Sequence, residues 1–349
     1  MSQLFESEIY ARIGGREFAI PRGIFSGMGN SQNFFSLGFT LWWKDPKKIF
    51  PGVDRSSLLR PPVIAPPAVP NRSGDIFEDI ISLLRGYPLH FRDDEHRASV
   101  LRDCRYYHLR GLEQRVIPHE IYEDPLRGGQ SEIVIHLEDV RQSGIQFAAD
   151  NSDSNATMGR EGWVLYSRPF VDEVSRDLIV QIGGDATSID LATMRAEFCA
   201  PSTKARMFKL FQVVGDKMGL QSSLSAGDRV PIRLDDAYIV VNGVERDSPG
   251  NSDRSNGQDG SWLKRRRIDT DDDISSFYEP VTAQTLAQPP RNGAKWIVRT
   301  GQWRLRIQAN ESGSGGVEMV LIALKLDVYT TQQWRNRTRN FLTSVDAPS

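Results

Sequence analysis

The chain has 349 residues, with 43 Lys and Arg against 45 Asp and Glu, so its formal net charge of −2 supplies no overall field toward nucleic acid or an anionic membrane. Such a length accommodates two domains, each able to bury a core. The two cysteines, Cys104 and Cys199, exclude a disulfide scaffold and point to a reducing compartment.

In chain order, Met1 to Tyr10 is polar and acidic, and no signal peptide is expected there. Glu8 to Ile13 and Glu17 to Ile20 read as strands joined through Gly14-Gly15-Arg16. Gly-Gly between alternating strands is a strong hairpin signal, because a type I′ turn requires positive φ at both central positions. Phe34-Phe35 follows, and then a run holding Trp42, Trp43 and a proline-rich insert over 42–71. Proline at 61, 62, 66, 67 and 70 favours polyproline II. Pro67-Ala68-Val69-Pro70 matches the minimal ligand pattern for SH3-type grooves, although a stiff strap with Val63, Ile64 and Val69 on the domain is the simpler expectation. Trp42 and Trp43 are either partly buried side chains or anchors for a partner.

Asn71 to Pro118 reads as packed amphipathic helices. Ser73 is a candidate N-cap, Ile76, Phe77, Ile80, Ile81 and Leu84 share one face, and Gly86 and Pro88 end the helix. Asp93 or Asp94 is expected to cap a second helix that buries Val100, Leu101, Cys104 and Tyr107. Gly111 is expected to break it, and Leu112 and Val116 to make a short further turn before Pro118.

Taken together, the hairpin with its Gly14-Gly15-Arg16 turn, Phe34-Phe35, Arg72-Ser73-Gly74-Asp75-Ile76-Phe77, Leu84-Arg85-Gly86-Tyr87 and Tyr106 to Leu112 resemble the BTB/POZ fold, in its potassium-channel-tetramerisation branch, and fungal members of it most of all. The resemblance implies a homo-oligomerising adaptor or scaffold that contacts other proteins, with Gly14, Gly15, Arg16, Phe34 and Phe35 carrying the family signature. Some members bring substrates to cullin ubiquitin ligases, and similar fungal growth-control proteins recruit phosphatases in nutrient and stress signalling. Others hold zinc between subunits through a histidine and clustered cysteines. That cluster is missing here, so zinc-independent assembly is expected.

Residues 119–130 read as a linker, which gives a BTB/POZ domain over 1–125 and a second domain over 126–349. The second is expected to be mainly antiparallel β with one or two helices, an α+β chain overall. Strands are expected at 132–137, 162–166, 177–182, 229–241, 295–298, 302–308 and 317–329. Trp303, Leu305 and Ile307 alternate with Arg304, Arg306 and Gln308, the pattern of a half-buried strand. A helix from Thr203 carries Met207, Leu210, Phe211, Val214 and Met218 as one apolar stripe. Residues 245–276 are expected to be a flexible loop holding the basic tetrad Lys264, Arg265, Arg266 and Arg267, which fits either a nuclear-import signal or a solvated charge run.

No catalytic constellation emerges. His119 to Glu123 lacks the second histidine of a zinc-protease helix, and the five histidines show no ligand spacing. Gly23 to Gly29 lacks the lysine of a phosphate loop. Ile182-Gly183-Gly184-Asp185-Ala186-Thr187-Ser188 follows a strand and fits either a tight turn or an anion held by backbone amides. The expected protein is not an enzyme and needs no cofactor or metal, the alternative being an enzyme whose site in the second domain no motif reveals. It is cytoplasmic or nuclear, and does not insert into membranes, since its longest apolar run, Met319 to Leu324, is too short to span one.

Overall fold

The computed structural model describes residues 8–38, 68–123, 131–150, 161–219, 229–246, 295–309 and 317–340. The chain is α+β and divides into two compact units, Met1–Pro118 with Ser167–Ser175, and His119–Tyr166 with Arg176–Ser349.

In the first unit, strands β1 (Glu8–Ile13) and β2 (Arg16–Pro21) form an antiparallel hairpin in which Ile13 pairs with Arg16. Gly14 and Gly15 take φ of +55° and +83°, as the turn requires. A short strand, β3 (Ala68–Val69), runs parallel to β1 at the sheet edge and buries Val69. Proline on either side of it is tolerated because an edge strand has one row of amides with no ladder partner. Among the described residues four α-helices accompany the sheet: α1 (Phe34–Gly38), before β3, and α2 (Gly74–Leu84), α3 (Asp94–Tyr106) and α4 (Arg110–Val116), after it.

The caps of this unit act locally. The Ile76 amide donates to Ser73 Oγ at 3.4 Å, and the His96 amide to Asp93 Oδ1 at 2.6 Å. α2 ends in a Schellman pattern, with Tyr87 N–H bonded to the Ser82 carbonyl, Gly86 N–H to the Leu83 carbonyl, and Gly86 at φ +89°. Its buried face holds Phe77, Ile80, Ile81 and Leu83; the expected Leu84 lies one position past the stripe and is half-buried. α3 buries Val100, Leu101 and Cys104, and Tyr107 beyond its end is buried too. The break after α3 falls at His108, φ +56°, not at Gly111, which lies inside α4.

The second unit is built on one large sheet. Its strands are β4 (His119–Glu123), β5 (Ser131–His136), β6 (Ile145–Ala149), β7 (Gly162–Tyr166), β8 (Arg176–Asp190), β9 (Arg195–Phe198), β10 (Arg229–Arg233), β11 (Tyr238–Val241), β12 (Val244–Arg246), β13 (Lys295–Ala309) and β14 (Val317–Thr330). Helix α5 (Pro201–Lys217) contacts β6 and β9, and α6 (Thr331–Arg337) follows β14. Strands β8, β9, β10, β14 and β13 pair in a closed circuit, antiparallel except for β10 with β14. Closure removes the free edges these strands would otherwise present. The pairs β5 with β8 and β11 with β14 are also parallel.

Five expectations change in this unit, the first being the strand expected at 229–241, which is two, β10 and β11. Residues 119–123 of the expected linker form β4, paired with β5 from His119↔Ile135 to Glu123↔Ser131. The two expected strands at 295–298 and 302–308 are one strand, β13, that continues through register shifts. Glu245 and Arg246, expected in the flexible loop, end β12. Arg304, expected on the polar face of β13 opposite the fully buried Trp303, Leu305 and Ile307, is itself buried, because it ion-pairs with Glu132 and stands over Trp163 with its guanidinium 5.4 Å from the ring centre.

Candidate interaction surface of the first unit

The signature residues fall into two groups. Gly14 holds the hairpin against α2: its amide donates to the Val69 carbonyl at 3.1 Å, and a β-carbon there would strike the carbonyl of Arg72. Gly15 needs only its positive φ, because a β-carbon at that position meets open space. Arg16 reaches α2 and pairs with Asp75 at 2.5 Å and Glu78 at 2.8 Å across the surface. Its aliphatic stem lies so close to Gly74 that a β-carbon there would come within 2.8 Å of Arg16 Cδ.

Phe34 and Phe35 lie at the start of α1, in an aromatic cluster. Asn33 Oδ1 accepts from the amides of Phe35 and Ser36, both at 2.9 Å, and so caps that helix. Phe35 is fully buried, stacked on Phe25 at 5.2 Å and on Tyr107 at 5.3 Å, with Phe77 at 5.6 Å. Phe34 is half-buried against Tyr106 and Tyr107, and its amide donates to the Tyr107 carbonyl at 2.9 Å. Burial pushes the Tyr107 hydroxyl and the Cys104 thiol well above their ordinary values. It also raises the Asp103 carboxyl, although Arg72 bridges it at 3.0 Å: here desolvation outweighs the ion pair.

Sequence reasoning missed a seam beside this cluster. Asn30 Oδ1 accepts from the Leu112 amide at 3.1 Å and caps α4. Gly111 lies so close to Met28 that a β-carbon would strike the Met28 carbonyl, and one on Gly29 would come within 2.9 Å of the Gly111 amide, so these two glycines serve close approach of backbones, whereas a β-carbon on Gly23 would meet nothing within 4 Å. The Phe170 ring covers Gly29, where a β-carbon would come within 2.6 Å of it. Phe170 holds φ +67°, a conformation uncommon for an aromatic residue. Its loop is closed by Arg168, whose Nε and Nη2 donate to Asp172 at 2.9 and 2.7 Å.

The seam also faces solvent. Met28 is 76% exposed, Phe170 48% and Val174 64%; Tyr87, after α2, is 63% exposed. The only sequence signal for it was the density of glycine around Met28.

Of the remaining expected contacts, Pro70 is exposed beside β3. Trp42, Trp43 and Pro67 lie outside the described residues, as do Lys264, Arg265, Arg266 and Arg267. Among the described residues no group of three or more His, Cys, Asp or Glu is placed to hold a metal ion, and no helix is long and apolar enough to cross a membrane.

No family model and no solved structure matches the chain. It is 30% identical over 226 residues to the uncharacterized protein YDR132C of Saccharomyces cerevisiae, covering 54% of this chain and 44% of that protein. It is 29% identical over 227 residues to the BTB/POZ domain-containing protein YLR108C of the same yeast, covering 52% of this chain and 45% of the relative. The chain spans less than half the length of these curated relatives. Over about half of its own length it is therefore similar to a protein named for a BTB/POZ domain, a protein-interaction domain.

Proposed function

We propose that this chain is a non-enzymatic adaptor that associates with itself through its first unit and presents other proteins on its second. The observation that carries this reading is the exposed apolar seam where Met28 and Phe170 meet at Gly29, beside a tightly packed core. Large exposed apolar side chains on a rigid support fit contact between proteins better than solvation. The similarity to a BTB/POZ-named relative supports the same reading. Self-association would multiply weak contacts by raising effective concentration, with no bond made or broken.

The test is light scattering of the full chain after size exclusion, comparing the wild type with Met28→Glu and Phe170→Glu. The expected result is an oligomer for the wild type and a smaller species for each variant. A wild-type monomer at high concentration would overturn the self-association. An oligomer unchanged in both variants would move the contact away from the seam.

A further inference from the structure

The stretch Gly183 to Thr187, for which an anion site and a tight turn both fitted, lies in the second unit at a bulge that deforms three strands. Val298 of β13 pairs with Thr187 and Val328, and Thr300 pairs with Gly183 and Asp327. Arg299, between them, has no register partner on either neighbouring strand, and Gly184, Asp185 and Ala186 have none on β13. A bulge re-aims the side chain it carries, and bulges concentrate near functional sites. Gly184 and Asp185 are both left-handed, at φ +72° and +55°. A β-carbon on Gly184 would meet nothing within 4 Å, so its backbone is open to approach.

Gly184, Asp185 and Arg299 line a cavity of about 440 Å³ together with Thr300, with Trp334 and Arg337 of α6, and with Thr338. Two cations converge there. Arg299 Nη1 lies 3.4 Å from the hydroxyl of Tyr329, and Arg337 Nη1 donates to the same oxygen while its guanidinium stands over the Tyr329 ring. Asp327 offsets Arg299 at 3.2 Å; Arg337 has no carboxylate partner among the described residues. Two guanidiniums drawn to one neutral oxygen repel each other, and an anion between them would relieve that repulsion. Thr300 Oγ has no hydrogen bond to any described residue and remains available to such a ligand.

One acid lines the same cavity. Asp185 accepts from Trp334 Nε1 at 3.2 Å. A cavity with two arginines and a carboxylate suits a ligand that brings an anion and hydrogen-bond donors together. Its volume, within the range of ordinary ligand pockets, exceeds a single phosphate group.

We infer that this cavity binds a phosphorylated serine or threonine side chain of a partner protein, with Arg299 and Arg337 on the phosphate and Asp185 on a flanking donor. Forked guanidiniums match phosphate oxygens, which is why arginine pairs are the usual readers of phosphorylated segments. The site is independent of the seam on the first unit.

The experiment uses the full chain and fluorescein-labelled peptide pools with randomised flanks, centred on phosphoserine, phosphothreonine or unmodified serine, read by fluorescence polarisation. The phosphorylated pools are expected to bind at least about tenfold more tightly than the unmodified one. Arg299→Ala and Arg337→Ala should each weaken that binding by roughly tenfold, and Arg337→Lys should restore it only in part. Should Arg299→Ala unfold the sheet, Arg337→Ala carries the test, because the Arg337 side chain lies at the end of α6 and its hydrogen bond and ring contact are both with Tyr329. Equal binding of all pools, no binding, or an unchanged Arg337→Ala overturns the inference. So does binding of phosphoinositide-containing phosphatidylcholine vesicles without binding of the phosphopeptides, which would assign the cavity to a lipid surface.

Discussion

The two units are held together at different ranges along the chain. In the first, α2 and α3 are bounded by residues a few positions away: Ser73 caps Ile76, Asp93 caps His96, and Gly86 closes α2, while α4 alone takes a remote cap, from Asn30. In the second, strands more than a hundred residues apart set one another's register, as where Trp303 pairs with Val180 and Ile297 with Ser188. The buried charges differ in the same way. Asp103 and Arg72 sit at the margin of an aromatic cluster, whereas Arg304 lies inside a sheet, where Glu132 and Asp177 from distant strands compensate it. The contrast teaches that local signals determine where α2 and α3 begin and where α2 ends, while pairing determines which polar residues a sheet can bury.

The largest effects should come from breaking each unit at its own centre. Phe35→Ala empties the aromatic cluster and should cost about 3–5 kcal/mol. Arg304→Ala removes a buried cation shared by half-buried Glu132 and buried Asp177 and should cost a similar ~3–5 kcal/mol. Hydrogen exchange followed by mass spectrometry should show faster exchange in the first unit for the former variant and in the second for the latter. Loss of protection spread evenly over both units would erase the contrast.

The two turn glycines sharpen it at shorter range. Gly14→Ala meets both a left-handed backbone and the Arg72 carbonyl, and should lower stability by roughly 3 kcal/mol in urea unfolding. Gly15→Ala has the backbone conformation alone to overcome and should cost about 1 kcal/mol. Equal losses would mean that the approach to α2 contributes nothing.

Titration gives a smaller effect. The folded state holds the Asp103 proton more tightly than the unfolded chain does. Its contribution is therefore complete below the ordinary carboxylate range and is lost as pH rises through the elevated value. Asp103→Asn should flatten that slope in urea midpoints measured across mildly acid pH. The thiols divide the units without any energy change: Cys199 is exposed and should react with a maleimide in the native protein, and buried Cys104 only after unfolding.

How much was legible follows from the same contrast. The hairpin, the caps of α2 and α3 and the buried stripe of α5 could be read because glycine, serine, aspartate and apolar spacing act within one or two turns. Leu83 in place of Leu84, and His108 in place of Gly111, are errors of a few positions at helix ends, where several residues compete to terminate the hydrogen-bond ladder. Larger surprises came where the deciding partner is remote. His119 to Glu123 became a strand because β5 was there to pair with it, and Arg304 was buried because Glu132 and Trp163 meet it. Phe170 carried no periodic signal, since its place depends on the missing side chain of Gly29.

The stretch Ser167–Ser175 lies between β7 and β8, yet it clusters with Met1–Pro118. A ribosome extrudes the chain in one direction, so Phe170 reaches Gly29 only after β4 to β7 have emerged. Until that moment Gly29 stands uncovered beside Met28 in the nascent protein, and the gap closes once the nine-residue stretch that Arg168 and Asp172 clasp has been translated.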